Sequence, residues 1–147
     1  MTDTTAFIPQ PRSPVEIDVR VRYAETDQMG VVYHANYLVW CEVARTELIR
    51  QRFLPYSELE KRGVILAVAD LSIRYHAPAR YEDDVRVRTW ISEIRSRTVT
   101  FSYEIDRLAN SEVDVRLATA TVRLVALGAD SRPRKLPDDL LRALAAD

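Results

Sequence analysis

The sequence predicts an α+β fold in which one antiparallel sheet wraps around a single long helix. Two features lead to this prediction. Most of the chain consists of segments in which apolar and polar residues alternate, as they do in half-buried strands. One helical segment, residues 37–52, is apolar on nearly every side of its first half and therefore needs to be covered by other elements. The 147 residues are enough for one domain with a core of ordinary size.

The first predicted elements are a strand, a polar link and the long helix. Residues 15–23 alternate without a break and predict the strand, and residues 24–30 form the link. Asn36 is the predicted N-cap of the helix, because its short polar side chain can accept a hydrogen bond from a backbone N–H of the first turn. The stripe that we expect to face the sheet consists of Tyr37, Cys41, Ala44 and Leu48.

The remaining elements are a short helix, four strands and a last helix. Ser57 and Glu60 have the spacing of a capping box for the short helix, which Gly63 would terminate. Pro137, followed by two acidic residues, is typical of the first turn of the last helix. The four strands are expected at residues 64–76, 85–91, 99–106 and 113–127, with a turn at Ala109, Asn110 and Ser111 before the last of them.

The chain is predicted to hold a single domain, residues 15–147, after a flexible N-terminal arm, residues 1–14. The arm is polar, contains three prolines and lacks the apolar core of a signal peptide. No stretch of the chain is apolar for long enough to span a bilayer. Cys41 is the one cysteine, so no internal disulfide can form. We therefore expect a cytoplasmic protein.

Charge and composition argue against several classes of function. The formal net charge is -1, with acidic and basic residues interspersed, which does not favour nucleic-acid binding. The three glycines are too widely spaced for a dinucleotide-binding fingerprint or a phosphate-binding P-loop. His34, His76 and Cys41 lack the spacing of a structural zinc site, and we expect no metal.

The predicted sheet also indicates self-association. Long alternating strands leave a face that one helix cannot cover completely, and an open sheet has unpaired edges. Both features favour pairing with a second copy of the chain. We therefore expect a homodimer or a dimer of dimers.

The polar link before the long helix contains the densest set of residues that could carry chemistry. Backbone N–H groups at the start of a helix are unpaired and can hydrogen-bond a developing oxyanion. Asp27 precedes the helix closely enough to fold back over that end. Taken singly, each residue also has a plain structural interpretation: a turn for Asp27, a local backbone contact for His34, a positive φ for Gly30 and a core position for Tyr23.

Several segments resemble one enzyme family. The link and helix contain Tyr23-x-x-x-Asp27-x-x-Gly30-Val31-Val32-Tyr33-His34-Ala35-Asn36-Tyr37 and Glu42-x-Ala44-Arg45-x-Glu47. Later segments are Tyr75-His76-Ala77-Pro78-Ala79-x-Tyr81-x-Asp83, Ser96-Arg97-Thr98-Val99-x-Phe101-x-Tyr103 and Arg132-Pro133-Arg134. Together, over about residues 16–141, they resemble the hot-dog-fold acyl-CoA thioesterases of the 4-hydroxybenzoyl-CoA thioesterase class, and within it the bacterial branch associated with the Tol-Pal system.

The resemblance implies roles for residues of the link. Asp27 would be the catalytic carboxylate, either as nucleophile on the thioester carbonyl or as general base for a water. The backbone N–H of His34 would bind the thioester oxygen, and its imidazole would orient Asp27 or the water. Tyr23 would add a supporting hydrogen bond, and Asn36 would hold the loop as the helix cap. Glu25 departs from the family, which usually has Asp there, but keeps the charge.

The resemblance also implies a binding region for the phosphates of coenzyme A. Arg95 and Arg97, at a turn between two strands, match the phosphate-binding region of the family. Arg134 belongs to a second basic cluster, with Arg132 and Lys135 beside it. For both clusters an ordinary exposed surface remains the alternative.

Two other residues of the helix are interpreted without a catalytic role. Glu42 matches a position where the family tends to keep an acid, and we prefer to read it as an i,i+3 ion pair with Arg45 on an exposed face. Cys41 is not expected to act as a nucleophile, because its apolar surroundings should raise its pKa.

The predicted function is hydrolysis of an acyl-CoA thioester to a carboxylic acid and coenzyme A. No cofactor is implied, because coenzyme A is part of the substrate. Two alternatives remain open from sequence: a hydratase or dehydratase on the same scaffold, and a non-catalytic protein that binds acyl-CoA or lipid or serves in an assembly. The acyl group, and the choice between coenzyme A and an acyl-carrier protein, depend on the depth of a pocket that a sequence does not reveal.

Overall fold

The computed structural model describes residues 14–109 and 114–145. These residues form an antiparallel sheet of five strands in the order β1-β3-β4-β5-β2, and three α-helices. The strands are β1 Val15–Arg20, β2 Ile65–Tyr75, β3 Asp84–Ile94, β4 Thr98–Arg107 and β5 Val115–Leu127. The helices are α1 Asn36–Arg52, α2 Tyr56–Lys61 and α3 Asp138–Ala145. The α+β prediction is confirmed, with every strand and helix of the prediction present.

The core lies between α1 and one face of the sheet. The stripe predicted from the sequence is buried along its whole length, from Tyr37 to Leu48. On the sheet side, alternate residues of β3 and β4 point toward the helix, as their alternating pattern predicted. The buried residues of these two strands include Val85, Val87, Ile91, Val99, Phe101, Tyr103 and Ile105.

The first strand is shorter than its alternating pattern predicts. β1 ends at Arg20, and the backbone N–H of Val21 then bonds to the carbonyl of Asp83, 2.9 Å away. The chain next forms a 3-10 turn, Tyr23–Glu25, that leads away from the sheet. As a result Tyr23 is 76% exposed, and the plain structural interpretation that places it in the core is wrong.

The predicted helix caps differ from the observed ones. Ala35 is the N-cap of α1, and Asn36 is its first helical residue. The Asn36 side chain instead donates to the carbonyl of Glu25, at 2.8 Å. Asn36 therefore holds the loop, as expected, but does so across the loop rather than by capping the helix.

The predicted capping box of the short helix is also absent. α2 follows Pro55, which is its N-cap, and no side chain caps its first turn. Ser57 lies inside the helix, so it cannot serve as the cap. Gly63 does adopt a positive φ, 81°, just after this helix, in agreement with the prediction.

Strand β2 is an edge of the sheet, and its apolar side chains are only partly covered. α1 packs over β3 and β1, and the central strand β4 and then β5 separate these two strands from β2. The exposed apolar residues next to this edge are Ile65, Val68, Leu71 and Tyr75 on β2, with Val39 and Val43 on α1. Exposed apolar side chains thus lie along one edge strand and on the neighbouring side of α1, around a groove that also contains Glu42 and Arg45.

The N-terminal arm, apart from Pro14, and the turn residues Asn110 and Ser111 lie outside the described residues. Among the residues that are described, no helix is both long and apolar enough to cross a membrane.

Candidate active site

The polar link forms a tight hairpin that ends at α1. Thr26 and Val32 pair across it as an isolated antiparallel bridge. Inside this bridge the N–H of Asp27 donates to the carbonyl of Val31 at 2.9 Å, and the N–H of Gly30 donates to the carbonyl of Asp27 at 3.0 Å. Gly30 has a φ of 78°, which explains why the turn needs glycine here. The hairpin gives Asp27 a defined position.

The carboxylate of Asp27 takes part in this turn through one oxygen. Its Oδ1 accepts the backbone N–H of Met29 at 2.8 Å, which is the turn role that the sequence suggested. In the part of the chain that the structure describes, its Oδ2 has no hydrogen-bond partner. Asp27 is partly exposed. The side chain is therefore held at one oxygen and open to a ligand or water at the other.

Glu25 anchors both ends of the hairpin. It is only 5% exposed, and its carboxylate accepts the Arg22 backbone N–H and the Trp40 indole N–H, each at 2.8 Å. Its backbone carbonyl accepts the N–H of Tyr33 at 2.9 Å and the side chain of Asn36 at 2.8 Å. Four donors from both sides of the hairpin thus converge on one residue, and they fix the loop relative to α1.

The charge of Glu25 is stabilised inside the protein. Burial by itself would raise the pKa of this carboxyl, but hydrogen bonds from the Arg22 N–H and the Trp40 indole, with the nearby Arg22 guanidinium, hold the pKa below its ordinary value. Sequence reasoning noticed Glu25 only as a departure from a family pattern. The one available signal was a tryptophan on the facing helix, whose N–H needs an acceptor when buried.

A pocket lies at the start of α1. Its volume is about 310 Å³, and it is lined by His34 and Tyr37 together with Val31, Val32, Tyr75, His76, Ala77 and Pro78. Within the described ranges, neither the N–H of His34 nor that of Ala35 has an acceptor. Unpaired N–H groups at a helix start can bind an oxyanion or a polarised carbonyl. The N–H of His34, which the sequence pointed to as a donor, is therefore unpaired in the described part of the chain, at the start of α1.

The side chains of the two other candidates from the link, His34 and Tyr23, make different contacts from those expected. The imidazole of His34 is exposed and packs near Tyr33 and Tyr75, and it makes no hydrogen bond with Asp27 among the described residues. The ring of Tyr23 packs edge-on against Tyr81, with centroids 5.5 Å apart. Neither Tyr23 nor Asp27 lines the pocket within one chain.

The predicted phosphate-binding arginines lie at the opposite end of the sheet. The carbonyl of Arg97 accepts the N–H of Ala126, and the carbonyl of Ala126 accepts the N–H of Arg134, both at 2.9 Å. The two basic clusters of the sequence are thus brought together, with Arg95 at the same turn and its Nε bonded to Glu93 at 2.9 Å. β3 runs from the loop end of the sheet to this turn, so about 30 Å separates the two ends along the strand.

The predicted ion pair between Glu42 and Arg45 does not form. Both residues line a smaller pocket of about 170 Å³ between α1 and β2, beside apolar residues such as Leu38 and Leu71. No ion pair joins the two charges within residues 14–109 and 114–145. The prediction was wrong because these side chains face the groove at the uncovered sheet edge.

The chain is similar to known proteins in sequence and in fold. Residues 21–144 match the model of the thioesterase-like superfamily. The chain belongs to this superfamily. It is 35% identical to the acyl-CoA thioester hydrolase YbgC of Escherichia coli over 124 residues, which cover 84% of this chain and 90% of that protein. It is 49% identical to the putative acyl-CoA thioesterase YneP of Bacillus subtilis over 88 residues, 60% of this chain and 64% of that protein.

The fold of the superfamily is confirmed by a solved structure. The 4-hydroxybenzoyl-CoA thioesterase, in a variant complexed with 4-hydroxybenzoyl-CoA, superimposes with a TM-score of 0.83 over 90% of this chain and 99% of that one, at 18% identity. At that identity the likeness shows the fold alone. The chain therefore has the hot-dog fold, and the resemblance found in its sequence is confirmed.

The one cysteine of the chain lies in an environment that makes its thiol inert. Cys41 is fully buried, and burial raises the pKa of its thiol to about 12. A thiol in this state is not a nucleophile near neutral pH. The prediction that Cys41 is not catalytic agrees with this environment.

Proposed function

We propose that the protein hydrolyses acyl-CoA thioesters, with Asp27 as the catalytic carboxylate and the N–H groups at the start of α1 as the oxyanion site. The observation that carries this proposal is that, among the residues whose structure is described, the hairpin of Asp27, whose carboxylate is held at one oxygen only, leads directly to the unpaired N–H groups of His34 and Ala35 at the start of α1, in a chain of the thioesterase-like superfamily. The acyl-CoA substrate is also the one named for YbgC.

The chemistry needs only groups that this hairpin and helix supply. The thioester oxygen accepts the N–H of His34, which stabilises the negative charge that develops on it. Asp27 either attacks the carbonyl carbon or removes a proton from an attacking water. The carbon–sulfur bond then breaks, and the thiolate of coenzyme A leaves and takes up a proton. If Asp27 is the nucleophile, water hydrolyses the resulting acyl–aspartate anhydride and regenerates the Asp27 carboxylate; if Asp27 is the base, the water oxygen bonds to the carbonyl carbon directly. In both routes water supplies the second oxygen of the carboxylic acid. The Oδ2 atom of Asp27 is the one available for this work.

The position of the basic cluster supports a site shared between two subunits. Arg97 and Arg134 lie about 30 Å from the hairpin along β3, too far for one substrate to contact both ends of the same chain. β2 begins at the basic end of the sheet and finishes at the hairpin end, since Ile65 pairs with Leu127 and Tyr75 with Ala118. Antiparallel pairing of two β2 edges would bring each basic cluster to the hairpin end of the other copy.

The same edge is the surface that we propose for the homodimer. Its exposed apolar side chains continue from β2 onto Val39 and Val43 of α1, and an uncovered apolar edge strand favours pairing. A dimer of dimers remains the larger assembly that this arrangement allows. We further propose that the reaction needs no metal or prosthetic group, and that the protein works in the cytoplasm, where its lone thiol stays reduced.

Release of free thiol from a panel of acyl-CoA thioesters, short, long and aromatic, tests the function. The buried thiol of Cys41 should not interfere with such an assay. We expect wild-type hydrolysis, and a fall in kcat of about a thousandfold or more for Asp27→Asn. Asn keeps the oxygen that accepts the Met29 N–H, so the hairpin should stay folded.

Asp130→Asn is the matched control for this variant. Asp130 accepts the backbone N–H of Arg132, two residues on, at 3.0 Å, just as Asp27 accepts that of Met29. Its turnover should stay near the wild-type rate. Wild-type turnover by Asp27→Asn would contradict the assigned role. Stabilisation by acyl-CoA without any thiol release would favour a binding protein, and hydration of crotonyl-CoA without thiol release would favour a hydratase.

A further inference from the structure

A tyrosine on the edge strand contacts the candidate oxyanion site from the opposite side of the pocket. Tyr75, the last residue of β2, donates its hydroxyl to the backbone carbonyl of His34, with an Oη to O distance of 2.7 Å. That carbonyl belongs to the same peptide group as the N–H of Ala35. Both His34 and Tyr75 line the pocket. One hydroxyl therefore acts on a peptide group whose N–H lies at the entrance of α1.

The ring of Tyr75 is itself held in place. It packs edge-on against Tyr37, with ring centroids 5.1 Å apart. Tyr37 is buried, and its hydroxyl accepts the backbone N–H of Ala79 at 3.0 Å. Burial also raises the pKa of Tyr75, with a smaller contribution from Tyr37, so its hydroxyl stays protonated and remains a donor. The contact with His34 is therefore a fixed feature of the pocket wall.

We propose that Tyr75 is a positioning residue that orients and polarises the oxyanion-binding peptide groups at the start of α1. A hydrogen bond accepted by a carbonyl draws electron density along its peptide group and makes the N–H of that group a stronger donor. The N–H of Ala35 then acts as a second donor beside that of His34. This role rests on the proposed thioester hydrolysis, in which those donors stabilise the charge on the thioester oxygen.

The hydroxyl of Tyr75 contributes little to packing. Its side chain is partly exposed at the edge of the sheet, whereas the buried core lies between α1 and the middle strands. Loss of the hydroxyl alone should leave the ring contact with Tyr37 in place. Tyr75→Phe thus separates the effect of the hydrogen bond from the effect of the ring.

Tyr56→Phe is a matched control, because the hydroxyl of this α2 residue contacts the backbone of the same strand. The hydroxyl of Tyr56 accepts the backbone N–H of Leu66 at 2.9 Å, near the other end of β2, far from the pocket at His34. For Tyr75→Phe we expect kcat to fall about tenfold while KM stays within about twofold, because the donors act mainly in the transition state. For Tyr56→Phe we expect wild-type kcat, with at most a lower Tm.

A second measurement reports the hydrogen bond without any substrate. The amide proton of Ala35 should move upfield in the NMR spectrum of Tyr75→Phe and stay in place in that of Tyr56→Phe. An unchanged Ala35 amide in Tyr75→Phe, or an equal loss of kcat in both variants, would overturn the proposal. If the wild type hydrolyses no thioester, the proposed function fails, and the amide shift alone then supports or overturns the role of Tyr75.

Discussion

The two ends of the sheet carry different chemistry and are stabilised in different ways. At the hairpin end, the buried carboxylate and carbonyl of Glu25 collect four hydrogen bonds and fix the loop against α1. At the basic end, main-chain hydrogen bonds through Ala126 hold the segments of Arg97 and Arg134, and both arginines are partly exposed. Bond-making requires atoms placed within fractions of an ångström, whereas attraction between charges tolerates movement. The difference agrees with the proposal that catalysis takes place at the hairpin end and phosphate binding at the basic end.

The largest effect is expected on the turnover of mixed dimers. These dimers test whether the hairpin end of one subunit and the basic end of the other form one site. A chain with Asp27→Asn keeps its basic cluster, and a chain with Arg97→Ala and Arg134→Ala keeps its hairpin. In a mixed dimer, one of the two sites would combine the intact hairpin of one copy with the intact arginines of the other. We expect such dimers, isolated by two different affinity tags, to recover about half of the wild-type turnover with a KM close to the wild-type value.

The parent homodimers are the controls for this experiment. The Asp27→Asn homodimer should show almost no turnover, and the arginine double variant should show turnover with a raised KM. A mixed dimer that shows no component with the wild-type KM would mean that the arginines do not serve the partner's site. The proposal of a shared site would then be wrong.

The second largest effect is expected from replacing Glu25, the residue that anchors the hairpin. In Glu25→Gln, one of the two oxygens that accept the Arg22 N–H and the Trp40 indole becomes an NH₂ group, which cannot accept. We expect a loss of about 1–3 kcal/mol in the free energy of unfolding at neutral pH, together with reduced turnover. Denaturant unfolding measures the first, and the thiol-release assay measures the second. Glu58→Gln, at an exposed ion pair with Lys61, should change stability far less.

The contribution of the Glu25 charge to stability should depend on pH. The pKa of Glu25 is lowered in the folded protein, so its contribution is complete above its ordinary value of 4.5 and is lost as the pH falls through the lower, folded value. The difference in stability between wild type and Glu25→Gln should therefore shrink in acid. If the difference in the free energy of unfolding between wild type and Glu25→Gln stays constant as the pH falls through the folded pKa of Glu25, the charge of Glu25 does not stabilise the fold.

The sequence was sufficient for the fold because the relevant signals are local. Alternation along β3 and β4 and the stripe of α1 each depend on residues a few positions apart, and the buried faces follow from them. Tyr23 was misassigned to the core because its pattern continues that of β1, whereas the contact between Val21 and Asp83 ends the strand. Val21 and Asp83 are distant in the sequence, and the periodicity of one segment contains no information about a contact between them.

The same limit applies to the site. The link sequence pointed to Asp27, to the N–H of His34 and to a glycine turn, all within one short segment. It could not reveal that Glu25 accepts from Trp40, or that Tyr75 donates to His34 across 41 positions of the chain. Nor could it show that Arg97 and Arg134 flank one residue, Ala126, of a third segment. Tertiary contacts of this kind decide which residues position the catalytic groups.

The smallest expected effect concerns the basic end alone. If Arg97 contacts a phosphate of coenzyme A, Arg97→Ala should raise KM about fivefold and leave kcat unchanged, since an exposed charge pair contributes about 1 kcal/mol. The effect should decrease as salt is added, because ions screen exposed charges. Arg142→Ala, which removes an exposed arginine from α3, is the control and should not change KM. A KM for Arg97→Ala that equals the wild-type value at low salt would place this arginine outside the binding site and leave Arg134 as the residue to test next.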